Sequence, residues 1–138
     1  MALKVIPDVH RATHRIGLHI SECPGVSVNQ GEAHILAHLH AEGGCSVAEL
    51  HRALAHRRST LTSILDRLEE RGRITRETDP ADRRSFQVRL TPKGARTAAK
   101  IHAHLEALER TALRGIPQAQ LRAFARVISR LAGERPIQ

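Results

Sequence analysis

Along most of the chain, apolar residues recur at every third or fourth position, the period of a helix with one buried face. Val9, Ala12, Ile16 and Ile20 form the first such stripe and predict a helix over residues 7–22, stopped by Cys23-Pro24-Gly25. Ile35, Leu36 and Leu39 mark a second, ending near Gly43-Gly44, and Leu50 and Leu54 a short third. In the fourth, Leu61, Ile64, Leu65 and Leu68 share one face until Gly72, which suits the left-handed position that ends a helix. There the period changes. A short β-type run over residues 73–77 leads through the turn-rich TDPADRR into residues 85–90, where Phe86, Val88 and Leu90 alternate onto one side. Helical spacing then resumes. Ala98, Ile101, Leu105, Leu108 and Ala112 step 3, 4, 3, 4 along a helix from Pro92 to about Arg114, and Leu121, Phe124, Ile128 and Leu131 repeat the rhythm after Gly115-Ile116-Pro117.

Polar residues at the helix starts fit this division. Asn29-Gln30-Gly31-Glu32 and Ser46-Val47-Ala48-Glu49 both have the form of a capping box, and Thr91-Pro92 puts a cap before a proline at the first helical position. The third and fourth helices read as a helix-turn-helix, the first bracing the second. Helix, strand, charged hairpin tip, strand is the order of a winged helix. The expected fold is mainly α with a small two-stranded β-wing. Its winged helix-turn-helix covers about residues 29–91 of a single domain, with dimerisation helices over about 7–22 and 92–132. Two long apolar seams exceed what one small domain buries against itself, so a homodimer is expected, with Ile101, Leu105, Leu108, Leu121, Phe124 and Ile128 at its interface.

The open face of the fourth helix carries the candidate chemistry. Arg57, Arg58, Ser59, Thr60, Thr62, Ser63 and Arg67 are residues that face a major groove or its phosphates, Arg through bidentate bonds to guanine and Ser or Thr to bases or phosphates. Thr62 falls on the shoulder of the apolar stripe, where half-burial is expected. Arg83-Arg84 at the hairpin tip reaches the flanking minor groove, whose negative potential attracts guanidinium groups. Asp66 and Glu69 read as partners for arginines, and Asp79-Pro80 as turn chemistry.

Composition supports a polyanionic partner. The net charge is +8, unevenly spread: residues 1–56 hold 4 Lys/Arg and 5 Asp/Glu, 57–92 hold 9 and 6, and 93–138 hold 9 and 3. Two Phe and no Trp or Tyr argue against single-strand binding by base stacking. Two cysteines are too few for a disulfide scaffold. With no apolar run near the ~20 residues that cross a bilayer and no secretory signal pattern, the expected location is the cytoplasm, with no membrane partner.

The run LTSILDRLEERGRITRETDPADRRSFQVRLTPKG, residues 61–94, resembles the signature of the MarR family of bacterial transcriptional regulators. Leu68-Glu69, Gly72, Arg76, Asp79, Asp82, Arg84 and Leu90-Thr91 with Gly94 carry the resemblance, and weaker similarity extends over about residues 8–132. It implies a dimer held by the terminal helices, Arg84 as the minor-groove residue, Asp82 as the carboxylate that orients it, and Arg83 on the backbone. The implied function is a sequence-specific repressor of a palindromic double-stranded operator, released when an effector changes the spacing of the two DNA-binding heads.

The ten histidines and two cysteines raise an alternative. His34 and His38 lie one turn apart, a spacing that can place two imidazoles on one metal, and Cys23 and Glu32 are near in sequence. The stretch ISECPGVSVNQGEAHIL is similar to that of zinc-sensing relatives, which have a Cys before this helix and a Glu-His pair in it, but the order here is Glu32-Ala33-His34. Cys23, Glu32, His34 and His38 are therefore the candidate effector region. No cofactor is expected, with zinc as the alternative and a small molecule or a metal as the effector. His102 and His104, two apart, face different ways. Cys45, just before a helix cap, is a redox candidate against the reading of an inert small residue. No glycine-rich phosphate loop, nucleophile elbow or HExxH occurs, so enzyme activity is not expected. The remaining alternatives are an architectural DNA-binding or protein-interaction module and, last, a histidine-based metalloenzyme.

Overall fold

The computed structural model describes residues 1–133, so the last five residues of the expected domain lie outside the described ones. Helices α1 (Ile6–Ser21) and α2 (Gln30–Glu42) lead to a two-residue strand β1 (Cys45–Ser46) and the pair α3 (Val47–Leu54) and α4 (Arg58–Glu70). The hairpin β2 (Ile74–Asp79) and β3 (Asp82–Leu90) follows, then α5 (Pro92–Ala112) and α6 (Gln118–Leu131). This is a mainly helical winged helix. The single domain expected from length divides into two compact units, Met1–Leu108 and the part from Glu109 onward.

In the first unit the expected stripes meet in one core. Ile20 of α1, Ile35, Leu36 and Leu39 of α2, Leu50 of α3, Leu61, Ile64, Leu65 and Leu68 of α4, Ile74 and Val88 of the sheet, and Ala98 and Ile101 of α5 are all buried there. Ile101 is 2% exposed within its own chain, which corrects its assignment to a dimer interface: no surface of it remains for a partner. Leu105 also packs in part against this core. In the second unit, α6 has no buried residue; Phe124 is 62% exposed, Val127 and Leu131 are exposed, and Leu121 and Ile128 are half-buried.

Local chemistry sets the helix ends. Ser46 and Glu49 complete their box, each backbone N–H donating to the other's side chain at 3.1 Å. Only half of the first box forms. Asn29 accepts from the backbone N–H of Glu32 at 2.8 Å, but the Glu32 carboxylate turns elsewhere. Gly72 at φ 71° ends α4 with paired bonds, Gly72 N–H to Glu69 O and Arg73 N–H to Leu68 O, both 2.9 Å.

The sheet is larger than its two expected strands, running β1-β3-β2, with Cys45 opposite Val88 and Ser46 opposite Gln87. The hairpin also extends into residues that read as a turn. Its register runs from Ile74 opposite Leu90 to Thr78 opposite Phe86, then jumps to Asp79 opposite Asp82. Between those last two pairs β3 holds Arg83, Arg84 and Ser85 and β2 holds nothing, so the wing's arginines sit in a bulge. Asp79 accepts from the backbone N–H of Ala81 at 2.9 Å and turns the chain.

The start of α5 is pinned to the end of α4. Thr91 donates its backbone N–H to Arg73 O at 3.0 Å and its hydroxyl to Gly72 O at 2.6 Å, and Lys93 Nζ donates to Arg71 O at 2.8 Å. The Thr91 hydroxyl in turn accepts from the backbone N–H of Gly94, the expected cap. Elsewhere α1 and α5 are tied by a reciprocal pair. His19 Nε2 donates to His104 O at 2.8 Å, His104 Nε2 donates to His19 O at 2.6 Å, and the rings stack 3.7 Å apart.

Candidate nucleic-acid interface

The apolar stripe of α4 locks its inner side to the core, so the remaining positions face outward as one set. Arg57 occupies the N-cap position, and Arg58, Ser59, Thr60, Thr62 and Ser63 are all exposed over the first two turns. Thr62, expected half-buried, is exposed. Opposite this turn stands the wing. Together α3, α4 and the bulge enclose a cleft of about 570 Å3 lined by Val47, Ala48, His51, Arg52, Arg58, Leu61, Thr62, Asp82, Arg84, Ser85 and Phe86. Three arginines against one aspartate give it a net positive lining, with Val47, Ala48, Leu61 and Phe86 as its apolar part.

Two expected roles change. Arg67 does not join the groove-facing set: its Nε lies 3.8 Å from Glu32 Oε1, because its position one turn further on brings it beside α2. The carboxylate of Asp82 accepts from the backbone N–H of Arg84 at 3.0 Å, so it shapes the bulge through the main chain, and no bond ties it to the guanidinium. Arg83 and Arg84 are exposed. The wing as a whole is tied to α4 by Arg76 of β2, whose Nη2 donates to Asp66 Oδ1 at 2.7 Å and Glu69 Oε1 at 3.1 Å. Those hydrogen bonds hold the Glu69 carboxyl below its ordinary value and raise Arg76.

Sequence reasoning missed His51, Arg52 and Phe86. Phe86, on the same side of β3 as Val88, is 48% exposed: it lies toward the tip of the hairpin, past the core that covers Val88. Arg52 lies on the outer side of α3, and the stripe of Leu50 and Leu54 already implied that side.

The candidate effector residues are not brought together. Cys23 is buried with its thiol 3.8 Å from Lys100 O, Glu32 points at arginines, and His38 lines a separate cleft of about 350 Å3 with Glu42, Cys45, Glu49 and Arg52. Among the described residues no group of three or more His, Cys, Asp or Glu could hold a metal ion. His34 is partly buried and near enough to His56, in the connection between α3 and α4, for the two rings to repel when charged. His102 and His104 diverge as expected, one toward His40 and Glu106, the other to His19. Burial, then Glu49 and Glu42, push the Cys45 thiol up to about 11, the opposite of what a redox sensor needs.

His34 supplies a pH test. Burial, and after it His56, hold its imidazole below the ordinary value of 6.5. The folded chain therefore favours the neutral ring, while the unfolded chain takes up a proton first as pH falls. Its contribution to stability is full above pH 6.5 and is lost as pH drops through the lowered folded value. Thermal melts from pH 7.5 to 5.5 are expected to show a steeper loss for the natural protein than for His34→Gln (pH range chosen about the histidine value). Equal slopes would remove His34 as the source.

Residues 28–86 match the MarR family model. A candidate transcriptional regulatory protein for the hcr operon of Thauera aromatica is 38% identical over 58 residues, 42% of this chain and 35% of that protein, so the match spans about a third of the relative's length. Among solved structures, a SlyA-like transcription regulator from Listeria monocytogenes superposes with a TM-score of 0.81 at 18% identity, over 96% of this chain and 92% of that one. Bordetella bronchiseptica BpsR, whose DNA binding is regulated by 6-hydroxynicotinic acid, gives 0.73 at 24% identity, over 94% and 93%. At these identities the two structures establish the fold. No helix among the described residues is long and apolar enough to cross a membrane.

Proposed function

We propose that this chain, whose residues 28–86 match the MarR family model, is a homodimeric transcriptional repressor of a palindromic double-stranded operator. The observation that carries this reading is the shared cleft, where Arg58 and Thr62 of the recognition helix α4 face Arg84 of the bulged wing. Each α4 enters a major groove, the two half-sites lie about 10 bp apart, and Arg84 reaches the flanking minor groove. Dimerisation uses the apolar face of α6, Leu121, Phe124 and Ile128, with Leu108 of α5. Phosphate contacts from Arg57, Arg58, Arg83 and Arg52 supply sequence-independent affinity.

BpsR responds to a small aromatic acid, and we assign the same effector class to this chain. The zinc-sensing reading is the less favoured one, since among the described residues Cys23, Glu32, His34 and His38 form no group that could hold a metal ion.

Selection of random-sequence duplexes on the purified protein is expected to enrich a two-fold symmetric site. Absence of any enriched site would overturn the reading. On the enriched duplex, Arg84→Ala is expected to weaken binding by about 1–3 kcal/mol and to flatten the salt dependence, with the dimer intact by sedimentation. Unchanged affinity and salt slope would remove the wing from the interface.

A further inference from the structure

At the corner where α2, α4 and β2 meet, one carboxylate is buried against three guanidinium groups. Glu32 is 2% exposed. Its Oε1 lies 3.8 Å from Arg67 Nε, and its Oε2 lies 3.6 Å from Arg71 Nη1 and 3.9 Å from Arg73 Nη1. These separations are beyond hydrogen-bond length. Among the described residues, Glu32 Oε2 and the Nε and Nη1 of Arg73 are buried without a hydrogen-bond partner. The attraction is therefore Coulombic and not directional, and a single negative charge stands against the mutual repulsion of three positive ones.

The backbone leaves Glu32 little freedom to be elsewhere. Its helix starts hard against α4: a Cβ at Gly31 would meet Ile64 Cδ1 at 2.7 Å. Arg73 is fixed as well, its N–H bonded to Leu68 O and its carbonyl to Thr91. Arg67, on the last turn of the recognition helix, and Arg71, at its C-cap, are by contrast half-exposed. Free of Glu32, they would be surface cations able to meet any phosphate, whatever the base sequence.

We propose that Glu32 is a specificity-determining positioning residue: it seats the end of α4 on α2 and withholds Arg67 and Arg71 from sequence-independent phosphate contacts. This rests on the reading of the chain as an operator-binding regulator. Binding energy is thereby concentrated in the first two turns of α4 and the wing. Discrimination between operator and other DNA follows from the charges Glu32 holds back as much as from those the interface presents.

The test is Glu32→Gln, a neutral side chain of the same shape. Affinities are measured by fluorescence anisotropy over a range of NaCl, for the enriched operator duplex and for a scrambled duplex of the same composition. Operator affinity is expected to fall about tenfold through loss of the buried charge's partners. Scrambled-duplex affinity is expected to rise, its log–log salt slope steepening by about one to two as freed arginines release counterions. Weakening of both duplexes together, with no steepening, would mean a purely structural role and overturns the proposal. If Glu32→Gln does not fold, Arg71→Gln decides. With Arg71 held by Glu32, that variant keeps the scrambled-duplex affinity and slope; a loss of about one in slope would show Arg71 already on phosphate and overturns the proposal. A natural protein that prefers no duplex over the scrambled one defeats the operator reading and this inference with it. A natural protein that discriminates and is weakened by Arg84→Ala, but whose ratio survives Glu32→Gln, defeats this inference alone.

Discussion

Phe124→Asp is expected to convert the protein to a monomer and abolish operator binding while keeping its helical circular-dichroism signal. Phe124 is 62% exposed within its own chain, so an aspartate there meets water in the monomer and costs the fold little. In a dry interface the same carboxylate lacks a partner and costs several kcal/mol, about a thousandfold or more in dissociation. Operator affinity falls with it, since two half-sites would be bound separately and without the effective concentration that linkage gives. Sedimentation reads the first effect and anisotropy the second. A variant that stays dimeric removes α6 from the interface. Leu105→Asp would be a poorer probe, because Leu105 packs in part on its own core and its loss would mix unfolding with dissociation.

The second large effect is expected from the smallest change. A Cβ at Gly94 would stand 1.8 Å from Arg73 O, 2.7 Å from its carbonyl carbon and 3.1 Å from its Cα. All three are backbone atoms, so no side chain can rotate aside. Gly94→Ala must lift the first turn of α5 from the end of α4, straining the bonds from Thr91 and Lys93 that join them. Overpacking of a core costs about 1–3 kcal/mol where side chains can shift; here a loss above about 3 kcal/mol is expected. The corresponding fall in Tm is more than about 10 °C. A melt within a few degrees of the natural protein would show that the joint tolerates separation (scale as in).

The elements themselves were legible because their signals are local. Helical spacing, the Ser46–Glu49 box and Gly72 need only neighbouring residues, and each helix lies close to where they put it. What periodicity does not carry is the identity of the covering surface. Ala98, Ile101, Leu105 and Leu108 share one seam in sequence, yet the first two close the chain's own core. Glu32 shows the same limit for polar groups. Its position favours a local cap, but three arginines 35 to 41 residues away offer a stronger partner to a carboxylate leaving water. Phe86 shares a side with Val88 and Leu90, as alternation puts it, but Val88 is buried and Phe86 is not; how far along a strand the core reaches is not written in the period. In the candidate site, the outward face of α4 was readable as the complement of its apolar stripe. Arg52 and His51 entered only when the fold set α3 beside the wing.

The joint between Arg71–Arg73 and Thr91–Gly94 couples the orientation of α5 to that of α4. At 21 residues the helix is about 31 Å long. A tilt of about 5° about that joint carries its far end through roughly 3 Å, while the pinned end hardly translates and passes on the rotation itself (geometry from the rise per residue in). The gearing runs in both directions. A few ångströms of travel at the distant end would turn α4 by only a few degrees, and an α4 held still would hold that end of α5 in turn (geometry from the rise per residue in).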